Sequence, residues 1–308
     1  MKLITAIQND LPLSISEIQL LLLSAPHRYK VHEIQKRHNR GTRVIAQPTS
    51  EIKVLQRWAT TNILAKLPIH SAATAYVAES NTKKHAQAHA KNRYLLKLDF
   101  KDFFPSIKAD DYLQHLIKYA KIDIDDARLL CRLLFWRDRV SNSLKLSIGA
   151  PSSPMVSNTV MYDFDTFVSE FCLKIEVVYT RYADDLAFST DNPKVLESVH
   201  EFIITLCKNL PYPNLQLNEE KTVFVSKKHK RYLTGLVLTN DGKPSVGRDK
   251  KRQIRAMVNT YANGNMPDDE LNRLRGLIAY AHGIDEKFID SLIRMVGTEN
   301  YNKLISGR

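Results

Sequence analysis

Ten residues, Thr180 to Ser189, read TRYADDLAFS and set two aspartates, Asp184 and Asp185, side by side in an otherwise apolar run. Side chains of a regular strand alternate between faces, so adjacent aspartates within one strand cannot both serve one site. A carboxylate buried without a partner costs several kcal/mol or shifts its pKa. The chain is therefore expected to reverse here. Two short strands, VVYTRY and DLAFS, with Ala183-Asp184 between them, put both carboxylates at the edge of a sheet and let Asp184 project into a cleft. One carboxylate does not hold a divalent ion beside a phosphate chain, so a second is expected from a neighbouring strand. Asp99, ending the apolar strand YLLKLDF (Tyr94 to Phe100), fits that need. Two strand-end carboxylates make a hard, oxygen-rich site suited to Mg²⁺. The plainer alternative is that Asp99 and Asp102 cap the next helix while Asp184 and Asp185 shape a turn.

The charge pattern favours the metal reading. The 308 residues carry a net charge of +12, and a polyanionic partner is the first inference. From Lys221 to Arg255 eleven Lys/Arg stand against two Asp/Glu; Arg28, Lys30, Lys36, Arg37, Arg40 and Arg43 face only Glu33. Two basic stretches flank an acidic centre. The longest apolar stretch, near Ile18 to Ser24, is far too short to span a bilayer, and Glu17 interrupts any signal-peptide pattern. SISE, Ser14 to Glu17, reads as a capping box. Cys131, Cys172 and Cys207 are scattered, with no CxxC, which suits buried thiols in a reducing compartment.

Periodicity gives an α+β chain. Residues 1–25 look helical. A basic hairpin turns near Asn39-Arg40-Gly41 and ends at Pro48. Helices are expected over Ser50–Pro68, in KKHAQAHAKN, near Asp110–Ala120 and Asp125–Trp136, as one long helix from about Ser153 to Ile175, and near Pro193–Asn209. TVFVS and RYLTGLVL are two further strands. After Gly242 the chain is basic and then helical.

These motifs, in order, resemble the reverse transcriptase family from roughly Tyr29 to Leu238. YADD looks like its catalytic turn, and LKLDFKDFFPS like its first aspartate motif. LSIGAPSSPMVSN is similar to the motif under the templating pair, LNEEKT to the loop with a lysine near the leaving group, and YLTGLVL to the primer-grip hairpin. Within the family, APSSP, RYADDLAFS and Thr234-Gly235 resemble bacterial retron reverse transcriptases. Their Asn-Ala-x-x-His signature appears as HAQAH, with His85 in place of Asn and His89 matching. Ile148 stands where Gln is usual.

The resemblance implies a right-hand polymerase fold, with fingers, a palm of antiparallel sheet backed by helices, and a helical thumb. The expected boundaries are 1–92 for the N-terminal helix and fingers, 93–240 for the palm with a fingers return near 121–150, and 241–308 for the thumb. It implies that Asp99, Asp184 and Asp185, with the Phe100 carbonyl, hold two Mg²⁺ ions (or Mn²⁺), and that Lys221 is a general acid for pyrophosphate. The ions would activate a primer hydroxyl and neutralise the leaving group. Arg43 and Lys36 would clamp the triphosphate, Phe104 would exclude a 2′-hydroxyl, and Gly149, Ala150 and Pro151 would let the backbone approach the nascent pair. Lys227, Lys228, Lys230, Arg231, Thr234 and Gly235 are implied RNA contacts without base readout. Arg248, Lys250, Lys251, Arg252 and Arg255 would lie along A-form RNA. His85 and His89, at i,i+4, suit a solvated helix face or an RNA contact better than a metal site.

The implied function is RNA-templated DNA synthesis on a retron noncoding RNA. Priming from an internal 2′-hydroxyl would give a branched RNA-linked DNA (msDNA) from dNTPs, in the bacterial cytoplasm and without a membrane. Anti-phage defence with an ATPase and a nuclease effector is also implied. The seventy residues after Leu238 suit a thumb and not an added RNase H or endonuclease domain. Two alternatives stand beside this: a diversity-generating or intron-derived reverse transcriptase, and an RNA-binding scaffold with a vestigial polymerase site.

Overall fold

A computed structural model describes residues 3–35, 41–264 and 266–306. Lys36 and the Asn39-Arg40 half of the expected hairpin turn lie outside the described residues.

In the N-terminal region two helices pack on each other and lead into a largely exposed ribbon. Helices α1 (Leu3–Asp10) and α2 (Ile15–Ser24) are separate, not one run, because the chain breaks at Pro12 and restarts at a cap. The Ser14 hydroxyl accepts from the Glu17 amide while the Glu17 carboxylate accepts from the Ser14 amide, so the capping box forms as its sequence predicts. Strands β1 (Tyr29–Gln35) and β2 (Thr42–Pro48) pair antiparallel, with Tyr29 opposite Pro48 and Ile34 opposite Arg43. Helix α3 (Ser50–Asn62) follows, then a loop and α4 (Thr82–Ala90).

Among the described residues the central sheet has four strands in the order β6-β7-β3-β8, all antiparallel neighbours. Strand β3 is Tyr94–Asp99, and the short α5 (Phe103–Ser106) follows it. Helices α6 (Ala109–Tyr119) and α7 (Ile124–Leu134) and the small ribbon β4 (Trp136–Arg137) with β5 (Leu144–Lys145) lie between β3 and the next palm helices. Those are α8 (Ser153–Val160) and α9 (Tyr162–Lys174), where one helix is expected. The Ser157 and Thr159 hydroxyls bond back to the Pro154 and Met155 carbonyls, which bends a helix, and Met161 (ψ 1°) leaves the helical region. Then come β6 (Val178–Tyr182), β7 (Asp185–Thr190), α10 (Val195–Asn209) and β8 (Val223–Ser226).

Strand alternation gives this sheet two covered faces. Leu96, Leu98, Leu186 and Phe188 enter the larger core, with Phe164 of α9 and Val199 and Ile203 of α10. Each such side chain, fully buried, contributes about 1.5–3 kcal/mol. Leu95 and Ala187 point the other way, into a second core shared with Ala86 and Ala90 of α4. That core continues through β9 (Arg231–Leu233), β10 (Leu236–Leu238) and β11 (Pro244–Ser245). It ends in the helical C-terminal region, α11 (Arg248–Ala262), α12 (Asp268–His282), α13 (Glu286–Val296) and α14 (Thr298–Ser306). The architecture is the right-hand polymerase fold, with a mixed fingers region, an antiparallel palm and a helical thumb.

Candidate active site and nucleic-acid interface

Strands β6 and β7 form the expected hairpin, and register does the positioning. Asp185 opens β7 and pairs with both Tyr182 and Asp99. The carboxylate at the end of β3 is thus brought beside the one at the start of β7. Ala183 adopts a left-handed conformation (φ 57°), which releases Asp184 from strand alternation and aims it at the same edge. The Phe100 amide donates to the Asp184 carbonyl at 3.2 Å, and the Asn218 amide to the Asp99 carbonyl at 2.7 Å. The turn, the first aspartate motif and the loop before Lys221 are therefore tied through backbone.

Electrostatics bear out the opening difficulty of the sequence. Burial, then the Asp99 charge, raises the pKa of Asp184, while Lys221 and Arg43 oppose the rise. Asp185 is pushed up to about 7 by burial and by Asp184 and Asp99. The Lys221 ammonium sits on both Asp99 oxygens, at 2.8 and 2.9 Å. Among the described residues no group of three or more His, Cys, Asp or Glu side chains is placed to hold a metal ion by itself. The donor set still fits a hard divalent cation: all donors are carboxylate oxygens, and their mutual repulsion is relieved by positive charge. It is an open, partial site, with an ammonium where cationic charge is needed.

The other expected residues fall into place unevenly. Arg43 is exposed on β2, within electrostatic reach of Asp184. Phe104, part-buried on α5, stands edge-on to Phe103 with ring centroids 5.4 Å apart. Gly149 has φ 118°, and a Cβ there would come within 3.2 Å of Gln47 and Ile45 side-chain carbons. The close approach it permits within the protein is to β2. The Ala46 amide donates to the Ile148 carbonyl at 3.0 Å and the Ser147 hydroxyl to the Ala46 carbonyl. Ala150 is buried and Pro151 part-buried behind this junction.

Two RNA-contact expectations need correction. His89 is fully buried, not on a solvated face, with its ring nitrogens 2.7 Å from the Ser189 and Thr180 hydroxyls. His85 is buried beside it, 2.7 Å from the Thr180 hydroxyl and 3.0 Å from that of Thr74. Burial depresses both imidazoles, His85 to about 4 and His89 to about 3, so both are neutral near pH 7. They seat α4 on the sheet and cannot reach a phosphate. Arg231 is also fully buried, donating to the Ala90, Asn92, Leu238 and Thr239 carbonyls. It staples the β9–β10 hairpin to the end of α4.

The remaining basic residues divide by face. Thr234 (φ 45°) and Gly235 (φ 81°) are the two-residue turn of β9–β10, where consecutive positive φ values suit the right-handed strand twist. Lys228 is exposed, Lys227 donates to the Lys91 carbonyl, and Lys230 lies over the Tyr232 ring. On α11, Arg248, Arg252 and Arg255 occupy i, i+4 and i+7 and are exposed, a single stripe. Lys250 lies over Tyr280. Lys251 differs from expectation: it turns inward to Asp285 at 2.6 Å and over Phe288, and is part-buried.

One cluster was not anticipated from sequence. Arg181, fully buried on β6, donates to both oxygens of the buried Asp165 at 2.7–3.1 Å, to Asn158 at 3.3 Å and to the Ala183 carbonyl at 3.2 Å. The Tyr179 hydroxyl donates to the same carboxylate at 2.7 Å. The available signal was charge inside apolar text: an arginine within VVYTRY and an aspartate within a buried helix each require a partner.

Comparison with known proteins bears on the whole chain. The family described as "Reverse transcriptase (RNA-dependent DNA polymerase)" matches residues 34–238. The chain is similar to the "Retron Ec83 reverse transcriptase" of Escherichia coli, at 40% identity over 94% of each chain. It is 32% identical to the "Retron Ec73 reverse transcriptase" of the same organism over 89% of this chain and 88% of that one. Among solved structures, telomerases share the fold. The Candida albicans enzyme in complex with a TWJ fragment of telomeric RNA aligns with a TM-score of 0.51 at 14% identity, covering 90% of this chain and 56% of that one. The Candida tropicalis apo enzyme aligns at 0.52 and 12%, covering 88% and 58%. The chain spans a little over half the length of those two structures.

Proposed function

The chain belongs to the reverse transcriptase family, as a retron RNA-directed DNA polymerase, and from that premise we propose that it copies a cognate retron noncoding RNA into a branched, RNA-linked single-stranded DNA. The observation that supports this most is the register that sets Asp99 against Asp185 with Asp184 at the adjoining left-handed turn. Asp99, Asp184, Asp185 and the Phe100 carbonyl would hold Mg²⁺, completed by phosphate oxygens of the incoming dNTP. When bound, such ions supply an activated hydroxyl and neutralise the leaving pyrophosphate. The chain's own residues do the rest. Asp184 and Asp185 orient the reacting end, and Arg43, with Lys36, holds the triphosphate from the fingers hairpin. Phe104 walls off the 2′ side of the sugar, and Gly149, Ala150 and Pro151 line the approach to the nascent pair. Lys221, held by both Asp99 oxygens, would be the residue that donates a proton to pyrophosphate.

The division 1–92, 93–240 and 241–308 is carried forward as the extent of fingers, palm and thumb. The roles in msDNA synthesis, 2′-hydroxyl priming and anti-phage defence with ATPase and nuclease effectors rest on the retron likeness alone, as does a bacterial cytoplasmic location. No helix among the described residues is long and apolar enough to cross a membrane. Purification from a host that also expresses the cognate RNA tests the reading directly. Nucleic acid that copurifies should be shortened by RNase and separately by DNase. Material sensitive to RNase alone would favour the scaffold alternative.

The exposed arginine stripe of α11 is proposed to track RNA phosphates, together with Lys250 and, on the palm side, Lys227, Lys228 and Lys230. Binding that releases counterions weakens steeply with salt. Arg248→Gln with Arg252→Gln should lower RNA affinity and flatten the log–log salt slope by about one to two units. Lys251→Gln should act mainly on stability, because its partner is Asp285. Affinity measured across a salt series checks this. An unchanged slope in the double variant would make the stripe a solvated surface.

A further inference from the structure

The buried Arg181 cluster reaches a second segment besides the catalytic turn. Residues 72–75 run alongside β6 as an added, irregular strand. The Arg181 amide donates to the Ala72 carbonyl at 2.8 Å, the Thr74 amide and hydroxyl donate to the Arg181 carbonyl at 2.8 and 2.9 Å, and Ala73 pairs with Arg181 in parallel. Asn158, which accepts from Arg181, donates its own amide to the Ala75 carbonyl at 2.8 Å. The same guanidinium bonds the Ala183 carbonyl. One buried cluster thus fixes the backbone one residue before Tyr76 and one residue before Asp184.

The parallel register carries the point further. Ala73 lies opposite Arg181 in one parallel bridge, and from there the two segments lead to Tyr76 on one side and to the Ala183-Asp184 turn on the other. Tyr76 is left-handed (φ 58°), as Ala183 is (φ 57°). For a bulky aromatic residue that conformation is an outlier, and it persists only where the surroundings over-determine it. Yet the ring is not buried for packing: Tyr76 is 51% exposed. A strained backbone that displays an aromatic ring at the mouth of an acidic site is a poor structural solution, since glycine would hold the same turn without strain. Partial burial, then the Asp184 and Tyr182 charges, raises the pKa of the Tyr76 phenol, so the phenol lies within electrostatic reach of the turn.

We propose that Tyr76 contacts the nucleotide that carries the attacking hydroxyl, its ring packing on the sugar–base face of the growing strand's terminal residue beside Asp184. This rests on the reading of Asp184 as a catalytic carboxylate and adds how the acceptor end is held there. Base–aromatic contact tolerates every base, which suits a position that must accept each newly added nucleotide.

The test uses the full chain with a preannealed RNA template and DNA primer. 5-Iododeoxyuridine at the primer 3′ end should photocrosslink to Tyr76, mapped by peptide mass, in a complex given no dNTP. Tyr76→Gly should melt no lower than wild type, since the strain is relieved, while KM for primer–template rises about tenfold, more than any fall in kcat. Tyr76→Phe should stay within about twofold of wild type, because the ring carries the contact. A Tyr76→Gly variant with unchanged KM, or crosslinking only from a probe on the template strand, would overturn the proposal. The dNTP-free crosslink does not depend on catalysis. An Asp184→Asn enzyme that still extends primers would remove the premise about Asp184 and leave the crosslink result standing.

Discussion

Asp184→Asn is expected to lower Mg²⁺-dependent extension of a primed RNA template by at least about a hundredfold, and Asp99→Asn to do the same. The fold should survive, and the expected change in stability has the opposite sign. Burial and the Asp99 charge raise the Asp184 pKa, so its ionised form is disfavoured in the folded protein. The folded state then holds a proton that the unfolded state gives up at lower pH. That contribution to stability is present below the ordinary carboxylate range and is lost as pH rises through the raised value. Metal-free Asp184→Asn should therefore melt at or above the wild-type temperature near pH 8, with a smaller difference near pH 5. RNA binding should change little. The measurements are primer extension and thermal melting at the two pH values. Wild-type extension by either variant would end the polymerase reading of this site.

Arg181 should produce the largest loss of stability. Arg181→Leu leaves Asp165 buried with, among the described residues, the Tyr179 hydroxyl as its remaining side-chain partner, and breaking a buried pair from one side costs about 3–5 kcal/mol. Arg181→Leu combined with Asp165→Leu removes both charges, and much of that loss should return because neighbours in one network are not additive. Activity should not return with it. The guanidinium also bonds the Ala183 carbonyl, and without that bond the left-handed turn before Asp184 loses its tie on the Ala183 side. Urea unfolding and kcat at saturating substrate separate the two effects. A double variant with full activity would show that the pair only fills space.

What the sequence made legible follows the reach of local rules. Alternation exposed the β6–β7 turn and the apolar strand ending at Asp99, and spacing exposed the Ser14–Glu17 cap, because each depends on neighbours in the chain. The misread elements depended on what lay opposite. His85 and His89 sit in polar helical text with Lys83 and Lys84, which reads as a wet face. The sheet behind them offers the Thr180 and Ser189 hydroxyls, so the buried side of α4 carries both imidazoles beside Ala86 and Ala90. Arg231 looked like one more cation in a basic run, and only tertiary contact shows four carbonyls around it. The break at Met161 needed hydroxyl back-bonding, which helical periodicity does not register.

The second core has a mechanical meaning. Leu95 and Ala187 belong to the strands that carry Asp99 and Asp185, and they share one apolar cluster with Ile254, Val258, Leu274 and Leu292 of the helical C-terminal region. The thumb is therefore the other half of the palm's floor, not an appendage on a tether. The gap between them is a packed dimension, set by methyl groups as a spacer sets the opening of a vice. If the proposed function holds, substitutions in that cluster would change the gauge of the duplex that fits, while substitutions on the outer arginine stripe would change only how firmly it is gripped.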